Sequence, residues 1–259
     1  MGAGPLPRVG PPTDHPPRPP IPIVPVDDEA MAAARARGAD DLTAWLAGVT
    51  GAPRPVVRVR TIGASSILGS GGAKPALSVA EVAAAVDAGR DMAAAAAAEG
   101  ITVLIASASA ADAPTPALAL IAALADDPAH PLGALRRLGD REIAVLCGIA
   151  LGAGERGLGC VCDGLAALAG GAVAAAIEPT LRPRLRAVDA HEQAARLGIA
   201  SVDAQELAAA LDEARGADQR LDRARRTPRP ISTVPVTRSS ARRTGGRRST
   251  SPARGTSVA

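Results

Sequence analysis

Phenylalanine and tyrosine are absent from the 259 residues, and Trp45 is the only aromatic side chain. A core without rings must be built from Ala, Val, Leu and Ile. Such side chains let helices pack closely but bury less apolar area per residue, so modest stability is expected. Lysine is almost absent as well: Lys74 stands alone among 29 basic residues. Long apolar runs are lacking, because Asp, Glu, Arg or Gly interrupts each one before it could span a bilayer. Cysteine is scarce and odd in number: Cys147, Cys160 and Cys162. With no apolar signal core at the start, that count reads as free thiols in a reducing, cytoplasmic setting. Acidic residues are missing from the last stretch. From Arg223 to Ala259 there are ten arginines and no acid, so the rest of a chain of net charge +3 carries about −7. The basic character therefore belongs to a tail, not to the folded body. Without aromatic residues for base stacking, that tail supports no specific nucleic-acid recognition.

What is present has the pattern of an α/β domain over residues 27–222, between a proline-rich leader (1–26) and the basic tail (223–259), both expected to be disordered. The leader reads as a polyproline-like spacer or as a ligand for a proline-binding module. The fold class expected is a parallel sheet with helices on both faces, a three-layer, Rossmann-like arrangement. The clearest unit runs from Leu77 to Leu120. Ser78 and Glu81 are spaced as a capping box, Gly100 suits a helix end, and residues 101–105 read as a buried strand. The small-residue loop Ala106 to Pro114 follows that strand, and Thr115 with Pro116 suits the next helix start. Ligands in such folds bind at the carboxyl ends of the strands.

Elsewhere, Asp27 to Gly51 reads as two helices around Gly38, and Val56 to Ile62 as a strand. The Gly/Ser-rich segment Gly63 to Pro75 is a flexible loop or a phosphate cradle, although Lys74 is followed by proline, unlike a P-loop. A loop is expected from Asp126 to Gly133, with His130 a surface residue. Asp140 is expected to cap a helix ending near Leu151, with a glycine-rich connection over 152–159. Cys160 and Cys162 flank Val161 on one short strand and so share a face, as buried apolar groups or as a thiolate pair. Asp163 sits where that strand ends and a helix starts. It is either a plain N-cap or a carboxylate holding a ligand in the crevice. Asp203 to Glu206 repeats the capping-box spacing before a last helix. No metal-ligand spacing is found, and no cofactor is implied.

Several of these segments, in this order, resemble the nicotinate-nucleotide–dimethylbenzimidazole phosphoribosyltransferase family of cobalamin lower-ligand assembly. They are Met31 to Arg37, Thr43 to Gly51, Lys74 to Arg90, Val103 to Ile105, Thr115 with Pro116, Gly139 to Ala144, and Val161 to Gly164. The resemblance implies transfer of phosphoribosyl from nicotinate mononucleotide to dimethylbenzimidazole, giving α-ribazole phosphate, with no metal or cofactor and as a homodimer. It implies that Thr115, Pro116, Glu142, Asp163 and Gly164 bind substrate. It also implies that Glu213, in a partial match to the family's C-terminal G-E-G-S-G-A, is the general base; the other reading of Glu213 is a solvated helix residue. The departures are specific. The family's glycine-rich G-E-M-G-I-G-N-T is replaced by Ala106 to Pro114, whose Cβ atoms obstruct a backbone phosphate cradle. Its Asp-His-Gly segment and its second glycine loop with a lysine have no counterpart. Impaired activity is therefore expected, the rivals being a non-catalytic nucleotide-binding homologue and an interaction protein.

Overall fold

The fold is described from a computed structural model, in which residues 21–64, 77–108 and 114–214 are described. The leader up to residue 20, most of the Gly/Ser-rich segment with Lys74, loop residues 109–113 and the tail lie outside them, as does the side chain of Thr115.

Two short helices come first, α1 (Asp28–Arg35) and α2 (Asp41–Thr50). Asp27 and Asp40 cap them by accepting the amides of Ala30 and Thr43. Then follow β1 (Val59–Gly63), α3 (Val79–Ala98), β2 (Val103–Ser107), α4 (Pro114–Asp126), α5 (Pro131–Leu138) and α6 (Arg141–Glu155). The second half holds β3 (Gly159–Asp163), α7 (Leu165–Ile177), a 3-10 turn (Pro179–Arg184), β4 (Leu185–Val188), α8 (His191–Arg196) and β5 (Ser201–Val202). A last helix, α9, covers residues 204–214. The capping box at Ser78 and Glu81 forms with both bonds, Asp140 caps α6, and Gly100 takes a φ of 76°.

The five strands form one parallel sheet in the order β1-β2-β3-β4-β5. A strand order that follows the chain order, joined by right-handed crossovers, puts the connecting helices on one face. The larger core lies there: Leu104, Ala106, Cys160, Cys162, Leu185 and Ala187 pack under helices α3, α4, α6 and α7. The alternate strand residues Val103, Val161, Val188 and Val202 face the other way, toward Leu42, Trp45 and Leu46 of α2 and Leu207 and Leu211 of α9. The two chain ends therefore supply the third layer, as the strand alternation requires.

Two features differ from the sequence reading. The first half of the glycine-rich stretch expected to connect α6 to β3 is helix, because α6 continues to Glu155. The glycines within α6 serve contact, whereas Gly157 beyond it turns at a φ of 74°. A Cβ on Gly148 would lie 2.0 Å from the Val86 carbonyl oxygen, and one on Gly152 would lie 2.8 Å from the Cβ of Ala93. Glycine is what lets α3 and α6 approach backbone to backbone. Between the same two helices, Arg90 is buried beside Glu155, whose side chain is 5% exposed, and Asp87. The other difference is α5, which starts at Pro131 where a loop was expected.

The end of the proline-rich leader is extended, and it lies against the body. The amide of Val24 donates to Gly154, and the carbonyls of Val24 and Pro25 both accept from the guanidinium of Arg184. Arg184 is 2% exposed and also donates to Gly157 at 2.6 Å. A buried guanidinium needs several acceptors, and the backbone of the leader supplies two of them. Desolvation lowers its affinity for a proton.

Candidate functional site

In a parallel sheet with every strand in one direction, loops and helix starts gather at the carboxyl edge. Here that edge is a row of Cα partners: Gly63, Ser107, Asp163, Val188 and Val202. Strand alternation puts Ser107, Asp163, Val188 and Val202 on one side, continuing the α2/α9 face. Neighbours in such a row are about 4.8 Å apart, so Ser107 and Asp163 stand side by side.

Asp163 is exposed and makes no hydrogen bond or ion pair with any described residue. It does not cap α7. The N-cap is Gly164, at a φ of 87°, with no side-chain cap and nothing within 4 Å of where a Cβ would sit. The reason is geometric: α7 turns toward the face of the larger core, whereas Asp163 follows the parity of Val161 and faces the other way. The first amides of α7 therefore lack a side-chain acceptor, while α3 and α6, which also start toward this edge, are capped by Ser78 and Asp140. Of the two readings open for Asp163, capping is excluded by this geometry.

The other expected site residues are distributed unevenly. Pro116 is in the first turn of α4, half-buried, directly after the loop that follows β2. Glu142 is in the first turn of α6, which ends three residues before β3 begins, so Glu142 lies toward the carboxyl edge. Glu213 does not join them. α9 begins right after β5 and packs Leu207, Leu211 and Ala214 against the sheet. Glu213 is nine residues into it, about 13 Å along the axis, and is exposed.

The sequence reading missed a polar cluster at the ends of β4 and β5. Asp203 was expected to cap α9. Its Oδ1 instead lies 2.9 Å from Nε2 of His191, whose Nδ1 is 2.7 Å from Oγ of Ser201. Asp189, at a φ of 51°, accepts the amide of Ala204 in its place. The capping task passes to a residue fifteen positions before Ala204, and no local spacing signals that. His191 and Asp203 are 58% and 57% exposed, so water weakens their pairing. Asp189, Asp203 and Glu206 line an open cleft of about 490 Å³ with Ala204 and Gln205. Among the described residues no cluster of His, Cys, Asp or Glu is arranged to hold a metal ion. Cys147, Cys160 and Cys162 are free and buried. Burial pushes the Cys147 thiol up to about 12, and the Cys160 thiol is raised by its hydrogen bond with Cys162 and by burial.

A phosphoribosyltransferase family profile matches residues 122–218, the stretch that carries β3, Asp163 and the cleft. The nicotinate-nucleotide–dimethylbenzimidazole phosphoribosyltransferase of Methylorubrum extorquens is 33% identical over 182 residues, covering 55% of this chain. The chain is similar to this phosphoribosyltransferase family. It spans about half the length of the curated relative it matches, 52%. The crystal structure of the Thermus thermophilus enzyme of the same name superimposes with a TM-score of 0.58 at 20% identity, over 76% of this chain and 96% of that one. A second structure, CobT from the same organism, gives 0.56 at 20% identity, over 75% and 96%. At that identity the likeness is one of fold: this chain has the parallel-sheet architecture of those enzymes. No described helix is long and apolar enough to cross a membrane.

Proposed function

We propose that the chain is a phosphoribosyltransferase of impaired activity. It takes nicotinate mononucleotide and dimethylbenzimidazole at the carboxyl edge of the sheet, over β2 and β3, and acts as a homodimer in the cytoplasm. The observation that carries this reading is Asp163, a carboxylate with no partner among the described residues, at the end of the central strand beside a helix start without a side-chain cap. It lies inside the family match. A helix start with free amides favours an anion, and the neighbouring Ser107 supplies a hydroxyl. Thr115, Pro116 and Glu142 complete the proposed substrate contacts from α4 and α6.

The chemistry asks little beyond positioning. Nicotinate is a pyridinium while attached to ribose, so it leaves without a metal. The protein has to orient two flat rings and accept one proton. With no Phe or Tyr in the chain, the ring site is aliphatic.

A second reading, nucleotide binding without turnover, is favoured by two facts. The loop glycines of the family are Ala and Ser here, and Glu213 lies away from the edge. Calorimetry tests what both readings share. Nicotinate mononucleotide should bind the full chain saturably, one per chain, and more weakly after Gly164→Val, which adds a branched side chain at a positive φ over the open helix start. No heat of binding at millimolar ligand would contradict both.

A further inference from the structure

We propose that the proton-accepting carboxylate for the transfer is Asp163 and not Glu213. The inference rests on the phosphoribosyltransferase reading and asks which carboxylate of this chain can reach the reacting atoms. A general base must stand within about 2.6–3.2 Å of the proton it takes. Glu213 is on the solvent face of α9. Leu207, Leu211 and Ala214 form the buried stripe of that helix, and Glu213, two positions after Leu211, is turned about 200° from it. It is also about 13 Å along α9 from the sheet edge where the helix begins.

Other carboxylates near the edge are committed elsewhere or lie off the central strands: Glu142 has a partner of its own, and Glu206 lines the cleft beside the edge strand β5. Asp140 accepts the amide of Ile143, Asp189 that of Ala204, and Asp203 pairs with His191. Glu81 closes the capping box of α3. Asp163 alone combines the central strand end, exposure and freedom from a described partner. Its Cα partner Ser107 offers a hydroxyl that can hold the acceptor ring or the carboxylate in place.

The step balances with these groups. A ring nitrogen of the benzimidazole attacks C1′ of the ribose with its lone pair. The C1′–N bond to nicotinate breaks, and its electron pair leaves with the neutral pyridine. The N–H proton of the other benzimidazole nitrogen passes to an Oδ of Asp163, so the new ribazole carries no charge on its ring. Solvent takes the proton from Asp163 afterwards.

The test uses the full chain under single-turnover conditions with excess protein, following nicotinate release and α-ribazole phosphate formation. Asp163→Asn should lower the rate by about a hundredfold or more, while calorimetry shows its affinity for nicotinate mononucleotide within about threefold of the parent. Formate added to Asp163→Ala should restore part of the rate, which a purely structural residue would not permit. Glu213→Gln should stay within about threefold. An unchanged rate in Asp163→Asn, or a hundredfold loss in Glu213→Gln, would overturn the assignment and leave the reaction standing. No product from the parent chain would overturn the reaction itself, and the assignment with it.

Discussion

Cys147, Cys160 and Cys162 lie on the two elements that meet at the middle of the larger core, α6 and β3, and all three are shielded from water. An apolar site penalises the thiolate, so Cys147 holds its proton up to about pH 12, against an ordinary value near 9. The raised value favours the folded state below pH 9. Above it the unfolded chain releases the proton while the fold does not, so stability falls between about 9 and 12. The melting temperature should therefore drop on going from pH 8 to pH 10.5, and Cys147→Ala should reduce the drop. A thiol reagent at about pH 8 should modify none of the three until the protein is unfolded. Rapid labelling of the native chain would show that the core opens.

The sequence showed which of these residues share a strand face but not what α6 would press against them. Elements with local punctuation were legible: the capping box at Ser78 and Glu81, the aspartate cap at Asp140, the helix end at Gly100, and the strand around Val161. Gly152 to Gly159 was read as a connection, and for Gly152 and Gly154, which lie in α6, that reading failed. Gly148 and Gly152 are interfacial, a property of the partner helix α3 and not of the local chain. The same limit applies to Asp203, whose capping role went to Asp189 by way of tertiary structure, and to Glu213, whose position depends on how α9 docks. Gly148→Ala should destabilise by about 3 kcal/mol, since the added Cβ meets backbone at 2.0 Å that cannot rotate away. Gly133→Ala, with nothing nearer than 3.8 Å, should instead stabilise by about 0.5 kcal/mol through lost backbone entropy. Thermal unfolding of the two variants checks both signs, and equal melting points would refute the tight α3–α6 seam.

At the scale of the whole molecule, the sheet order fixes where function can reside. Five parallel strands in chain order bring the carboxyl ends of β1 to β5 into one row, with the starts of α3, α4, α6, α7 and α9 around it. Asp163 is central to that row, and the family match covers it. On the proposed reading, the parts that differ are those that would hold the phosphate. The loop after β2 has Ala and Ser in place of the family's glycines, and Lys74 is the only lysine in the chain. Loss of one preorganised donor costs about 3–4 kcal/mol in a transition state, on the order of a thousandfold in rate. The most direct measurement is kcat/KM for α-ribazole phosphate formation from nicotinate mononucleotide and dimethylbenzimidazole, compared with an intact family member. A measurable value at least about a thousandfold lower is expected, whereas a value within about tenfold of the intact enzyme would contradict the impaired-transferase reading.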